Sequence, residues 1–145
     1  VLHTPGHHPE HLCLLSDSGL VAGDMVAGIG TILIPPHQGD MMTYIEQLER
    51  LLGLDPHLLF PSHGPVIPLP HRTLEHYIRH RSIRHDKVLA AVEQGHSKLE
   101  EIAKVAYEDT PDAHPSLAID QTLSHLLSHE KDGNVRSTDG GWVRA

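Results

Sequence analysis

Three short segments pair a histidine or an aspartate with glycine or proline, and each comes directly after a short apolar run. They are H-T-P-G-H at residues 3–7, A-G-D at residues 22–24 and P-S-H-G-P at residues 61–65. Glycine and proline favour tight, defined turns, and the ligands of a metal site must be held within about 0.5 Å of their working positions. One such turn more often caps an element or fills a core. Three in this order predict a metal site built at the ends of strands.

The first seventy residues are predicted to form a layered body of strands and helices. The apolar runs at residues 12–15 and 20–22 flank a Ser-Asp-Ser-Gly turn and predict a β-hairpin. Residues 27–39 are rich in glycine and proline and predict a long loop. Asp40 is the expected N-cap of a helix, and residues 58–60 predict a buried strand. This order belongs to an α/β or α+β body, and we take α+β as the fold class.

The second half of the chain is predicted to be helical and to end in a hairpin. A long apolar stripe predicts a helix over residues 71–93. Ser97 and Glu100 have the spacing of a capping box at the start of a short helix, and residues 115–131 predict another. Residues 132–144 predict a β-hairpin. Helix, turn, helix and hairpin is the order of elements in a winged-helix domain.

Charge is unevenly distributed along the chain, whose formal net charge is −8. Residues 1–67 carry −6 and residues 96–145 carry −4, whereas residues 68–95 carry +2. Nucleic acids are bound mainly through Lys and Arg, and the helix at residues 115–131 offers only Lys131. We therefore expect no DNA binding, and we expect the C-terminal unit to pack against the rest of the protein or another subunit.

The basic segment is the only part of the chain expected to attract an anion. His80, Arg81 and Arg84 lie on its predicted helix. They are candidates for a contact with an anionic substrate at the mouth of the site. A solvated helix face or an ion-pair network at a domain interface explains the same residues equally well.

Cysteine content and hydropathy bear on the compartment. Cys13 is the only cysteine, so the chain has no internal disulfide, and it is expected to be a small core residue. No apolar run approaches the ~20 residues of a membrane helix, and the chain does not open on a signal-peptide pattern. We expect a cytoplasmic protein without membrane contact.

The three turn motifs resemble the last three metal motifs of the metallo-β-lactamase superfamily. G-I-G-T at residues 28–31, Y-I-R-H-R at residues 77–81 and the helical module of residues 97–136 are similar to one branch of it. That branch contains glyoxalase II-like hydrolases and β-lactamase-like protein 2, and its members end in a winged helix. The resemblance implies three parts: the C-terminal half of an αββα sandwich at residues 1–70, a connecting helix at 71–95 and a winged-helix-like domain at 96–145.

Carried over residue by residue, the resemblance implies that His7 ligates a first metal, His63 ligates a second and Asp24 bridges both. Two metals, usually zinc, would activate a water molecule that Asp24 holds or deprotonates. The implied activity is hydrolysis of an ester, a thioester, a lactam or a phosphodiester.

The family's first motif, H-x-H-x-D-H, supplies the other four ligands and does not occur in this sequence. We therefore expect the chain to be an incomplete part of a hydrolase and inactive alone. Half a sandwich would expose apolar surface, so a homo-oligomer is also expected. The alternative function is a non-catalytic interaction module that uses the winged helix for protein or subunit contacts.

Overall fold

The computed structural model describes residues 1–145 and contains one four-stranded sheet and one two-stranded hairpin. The sheet has its strands in sequence order, with β1 and β2 antiparallel, β2 and β3 antiparallel, and β3 and β4 parallel. A parallel pair requires a crossover connection, which the helix α1 (Met41–Gly53) provides between β3 and β4. The four strands are β1 (Leu2–His3), β2 (Leu12–Ser16), β3 (Gly19–Gly23) and β4 (Leu59–Pro61).

Helix α1 begins where the sequence predicts. The side chain of its N-cap, Asp40, accepts a hydrogen bond from the backbone N–H of Thr43 at 2.8 Å. Partial burial acts to raise the pKa of Asp40, but hydrogen bonds from Lys131 and Thr43 outweigh it and lower the pKa. The buried face of α1 is apolar and packs on the sheet. It consists of Met41, Tyr44, Ile45, Leu48 and Leu51.

The four-stranded sheet is covered on one face only. Cys13, Leu20 and Ala22 point towards α1 and are completely buried, as expected for Cys13. Successive residues of a strand point to opposite faces, so the intervening Leu14 and Val21 lie on the other face. Their side chains pair across β2 and β3 and remain 48% and 46% exposed.

A second apolar cluster brings together the C-terminal elements. It joins the last turns of α2 (Pro70–Glu93) to α3 (Leu99–Ala106), α4 (Pro115–Lys131) and the hairpin of β5 (Val135–Thr138) and β6 (Gly141–Arg144). Helix α2 also contributes Leu74 and Tyr77 to the first cluster. It therefore connects the two cores, and the order helix, helix, hairpin is confirmed.

The predicted capping box is wrong. Helix α3 begins at Leu99, its N-cap is Lys98, and no side chain caps it. The backbone carbonyl of Ser97 instead accepts a hydrogen bond from Trp142 N at 2.8 Å. This contact with the hairpin holds Ser97 outside the helix, so the helix starts one residue later than the motif requires.

The observed architecture is α+β, which confirms the predicted fold class. None of the helices combines the length with the apolar character that crossing a membrane demands.

Candidate metal centre

The sheet topology brings the three predicted ligands to one edge. Because β1 and β3 are both antiparallel to β2, they run in the same direction, and β4 is parallel to β3. The carboxyl ends of β1, β3 and β4 therefore meet at the same edge of the sheet. His7, Asp24 and His63 lie in the loops that begin at those ends.

Asp24 lies between the two histidines and presents one oxygen to each. His7 Nε2 is 3.7 Å from Asp24 Oδ2, and His63 Nε2 is 3.2 Å from Asp24 Oδ1. His7 and Asp24 are largely covered, whereas the side chain of His63 is 68% exposed. Asp24 Oδ1 is buried and forms no hydrogen bond.

The ring of His7 is oriented by the backbone of the long loop. Its Nδ1 lies 2.8 Å from the carbonyl oxygen of Leu33, which can only accept, so Nδ1 carries the proton and donates. In the neutral ring, the Nε2 atom that faces Asp24 then carries the free lone pair. A metal-ligating histidine typically has its second nitrogen fixed in this way.

His11 fixes the backbone of Asp24, a role that its sequence does not reveal. Its Nε2 accepts a hydrogen bond from the N–H of Asp24 at 3.0 Å, and its Nδ1 lies 2.8 Å from Thr4 Oγ1. Burial lowers the pKa of His11, and nearby His7 lowers it further, which favours the neutral ring that this pattern requires. A Cβ at Gly23 would lie 2.6 Å from His11 Nε2, and Gly23 has a φ of +55°. The close approach of His11 thus explains the glycine before Asp24.

Helix α1 anchors the loop that carries His7. A Cβ at Gly6 would lie 2.4 Å from Tyr44 Cα, and Gly6 has a φ of +130°, so only glycine fits where this loop meets the helix. The Tyr44 hydroxyl donates to the carbonyl of Met25 at 2.7 Å, next to Asp24. Burial raises the pKa of Tyr44 well above its ordinary value, so the hydroxyl stays a donor.

Backbone hydrogen bonds join the loops of Asp24 and His63. The N–H of Gly28 donates to the carbonyl of His63 at 2.8 Å, and the N–H of Ser62 donates to the carbonyl of Gly23 at 3.1 Å. The two loops therefore form one unit around Asp24.

Side chains from α4 hold the stretch of loop that orients His7. Gln121 Nε2 donates to the carbonyl of Ile34 at 2.9 Å, and its Oε1 accepts from the N–H of Ile34 at 3.2 Å. Ser124 Oγ donates to the same carbonyl at 2.6 Å. Because Ile34 follows Leu33 directly, α4 fixes the backbone that accepts from His7. Sequence reasoning missed these residues, and no local motif marks them.

The three candidate anion contacts differ in their surroundings. Arg84 is buried, donates to the carbonyl of Ala106 and to Asp109 Oδ1, and lies with its guanidinium carbon 4.1 Å from the centre of the Tyr107 ring. Hydrogen bonds from Lys87 and Arg84 hold the pKa of Asp109 well below its usual range. Arg84 thus belongs to an ion-pair network between α2 and the end of α3.

His80 and Arg81 both line a cavity beside the long loop. His80 is exposed, and its pKa is lowered by partial desolvation and then by Arg81 and Arg84. Arg81 is only 3% exposed and donates to Gln121, Thr31 and the carbonyl of Ile32.

The candidate centre fits a metal pair in part. One imidazole nitrogen faces each oxygen of a single carboxylate, and one of these oxygens is buried without a partner. A carboxylate that accepts one cation at each oxygen would satisfy both. No group of three or more His, Cys, Asp or Glu side chains in the chain is arranged to hold one metal ion. His7, Asp24 and His63 therefore supply only some of the ligands that two metal ions need.

Comparison with known proteins identifies relatives over nearly the whole chain. A protein-family model described as "Metallo-beta-lactamase superfamily" matches residues 1–63. A β-lactamase-like protein 2 homolog from Drosophila melanogaster is 35% identical over 140 residues, which is 94% of this chain and 47% of that protein. The lactamase-like protein nscB of Neosartorya fischeri is 34% identical, over 86% of this chain and 41% of that protein. The chain thus spans about half the length of the curated relatives that it matches.

Solved structures share the fold. A metallo-β-lactamase family protein from Thermus thermophilus has a TM-score of 0.78 and 22% identity, with 99% of this chain and 48% of that one covered. A β-lactamase domain protein from Burkholderia ambifaria has a TM-score of 0.81 and 24% identity, with 97% and 46% covered.

Proposed function

Given that this chain belongs to the metallo-β-lactamase superfamily, we propose that it supplies part of the active site of a metal-dependent hydrolase. The observation that carries the proposal is the placement of His7 Nε2 and His63 Nε2 at opposite oxygens of Asp24. In this proposal His7 and His63 would each supply a nitrogen to one metal, and Asp24 would supply a carboxylate oxygen to each. Zinc is the proposed metal, because imidazole and carboxylate are among its usual ligands.

A pair of divalent metals, when bound, lowers the pKa of water and polarises the bond under attack. The residues of this chain have separate tasks. Asp24 is the only carboxylate of the centre, so it is the group proposed to hold or deprotonate the attacking water. His11 and the carbonyl of Leu33 are positioning groups, since their hydrogen bonds hold the backbone of Asp24 and the ring of His7. The proposed substrates are esters, thioesters and phosphodiesters.

Complementation tests this function. The chain is co-expressed with the N-terminal half of the Drosophila relative, and assembly is checked by size-exclusion chromatography. We expect the zinc-loaded complex to hydrolyse p-nitrophenyl acetate or bis(p-nitrophenyl) phosphate. Asp24→Ala should reduce the rate at least about a hundredfold, and His57→Ala, on an exposed loop residue, should not. An assembled complex that hydrolyses neither substrate, or that is insensitive to Asp24→Ala, would contradict the proposal.

The C-terminal elements are proposed to form a winged-helix-like unit that serves the hydrolase body and not DNA. The contacts of Gln121 and Ser124 with Ile34, and of Lys131 with Asp40 at 2.8 Å, support this role because they tie α4 to the body. Lys131, the one Lys or Arg of α4, is already paired. A salt-dependent affinity for duplex DNA, measured by fluorescence anisotropy, would refute the assignment.

A further inference from the structure

A cavity of about 390 Å³ lies between α2, the start of α4 and the loop that follows Asp24. Its wall includes Thr31, Tyr77, His80, Arg81, Leu117 and Gln121. None of its 13 lining residues is an aspartate or a glutamate, although the chain as a whole has a net charge of −8. Arg81 is the one Lys or Arg among them, so the permanent charge in the cavity wall is positive.

Arg81 is the charged group of this cavity, and it has no counter-charge. Its side chain is 3% exposed, and its hydrogen bonds go to an amide, a hydroxyl and a backbone carbonyl. No carboxylate lies within 4 Å of it, whereas Arg84 one turn later is paired with Asp109. The Nε atom of Arg81 has no hydrogen-bond partner. A buried cation is costly unless an anion compensates it, and the protein itself supplies none here.

The remaining wall of the cavity is largely apolar. Tyr77 and Ala118 form buried surface, and Leu117 is 48% exposed at its rim. A ligand that fits both parts has an apolar body and one acidic group. The volume lies within the range of cavities that hold small organic molecules.

The cavity adjoins the candidate metal centre through the long loop. The Tyr77 hydroxyl accepts from the N–H of Ala27 at 3.0 Å, and Gly30 and Thr31 form part of the wall. Residue 27 lies three positions after Asp24. A ligand in the cavity therefore contacts the segment that leads out of the centre.

We propose that this cavity binds an organic anion, a carboxylate or phosphate on an apolar body, with Arg81 as its counter-charge and His80 at its entrance. This inference deepens the proposed function, and it rests on that function only in making the anion a substrate or product. Arg84 is not part of the site, because it is already paired with Asp109. Hydrolysis of an ester or thioester releases a carboxylate, and hydrolysis of a phosphodiester releases a phosphate monoester, so both classes of anion are compatible with it.

The test is calorimetric titration of the chain with three probes of similar size: phenylacetate, phenyl phosphate and the neutral 2-phenylethanol. We expect at least one anion to bind at least about tenfold more tightly than the alcohol. The two anions separate the carboxylate source from the phosphate source. Arg81→Met should weaken anion binding at least about tenfold, and Arg79→Met, which removes the same charge from an exposed position of α2, should leave it unchanged.

Arg81 also holds the loop at Thr31 and Ile32, so Arg81→Met could fail to fold. Ala113→Leu is the second variant, since Ala113 is a half-buried lining residue at which a larger side chain reduces the volume. It should weaken anion binding while the melting temperature is maintained.

Three results would each overturn the proposal: no anion binding, equal affinity for the neutral alcohol, or anion binding that Ala113→Leu does not change. Arg81 would then serve only to hold the loop in place. The titration needs no metal and no hydrolysis. Its failure therefore leaves the proposed function standing, and loss of the hydrolase assignment leaves the binding result standing.

Discussion

Gln121 is the residue through which α4 reaches the loop that orients His7. Its amide forms two hydrogen bonds with Ile34 and accepts a third from Arg81 Nη1 at 2.8 Å. Gln121→Ala would leave the N–H of Ile34 and one N–H of Arg81 buried without partners. We expect it to lower the free energy of unfolding by about 1–3 kcal/mol, measured by urea titration.

Asp120→Ala, at the exposed neighbouring position, is the control for this variant. It should change the free energy of unfolding by less than about 0.5 kcal/mol. If the two variants were equally stable, the hydrogen bonds of Gln121 between α4 and the loop would not stabilise the fold.

Gln121 also shows which part of the candidate metal centre can be predicted from the sequence. His7, Asp24 and His63 are marked by local turns of glycine and proline, so a pattern within a few residues predicts them. Gln121 contacts Ile34 across 87 positions, and His11 acts on Asp24 across 13. Nothing near either residue in the sequence encodes its partner, because the pairing depends on how the loops and helices come together.

At the scale of elements, α2 and α4 meet through three buried histidines. His85 stacks on His129 with ring centres 3.6 Å apart, and its Nδ1 lies 3.1 Å from His125 Nδ1. Burial, with a smaller contribution from nearby His129, lowers the pKa of His85 to about 4. Burial likewise holds the pKa of His125 well below its ordinary value, and its Nε2 has no partner. The interface is therefore built from neutral rings.

This interface predicts acid sensitivity. The folded pKa of His85 lies below the ordinary 6.5, so between pH 6.5 and about 4 the unfolded chain binds more protons than the folded one. The free energy of unfolding therefore has its full value above pH 6.5 and falls as the pH decreases through this window. Each such histidine lowers the free energy of unfolding by up to about 1.4 kcal/mol per pH unit as the pH decreases. Nearby Asp86 and Asp132 reduce this effect, because they raise the pKa of His85 and of His129.

Urea unfolding at neutral pH and near pH 5 measures this dependence. His125→Leu should reduce the difference between the two conditions, and His8→Leu, at an exposed position, should not. Equal stability of the unaltered chain at both values would contradict a neutral buried cluster.

The elements also show why local signals succeed or fail. The Asp40 N-cap acts on Thr43 three residues away, and the structure has the helix there. The Ser97 signal is just as local, yet Trp142 takes the carbonyl of Ser97 across 45 positions and the capping box does not form. Local signals hold where no distant residue competes for the same backbone group.

At the scale of the whole molecule, the uncovered face of the sheet is the feature with the clearest consequence. Leu12, Leu14 and Val21 are about half exposed on it. Apolar surface of this kind favours association, so we expect the chain alone to form oligomers. Sedimentation velocity should show this, and Leu14→Lys with Val21→Lys should shift the chain towards the monomer. Ile83→Lys, on exposed α2 surface, is the control, and a concentration-independent monomer of the unaltered chain would contradict the expectation.

Titration of the chain with cobalt(II), followed by visible absorption, tests whether His7, Asp24 and His63 are metal ligands. We expect fewer than two equivalents to bind per chain, because three donors cannot complete two coordination spheres. Asp24→Ala should abolish the absorption, whereas His76→Ala, on the exposed face of α2, should leave it intact. Cobalt binding that is the same in Asp24→Ala as in the unaltered chain would show that Asp24 is not a metal ligand.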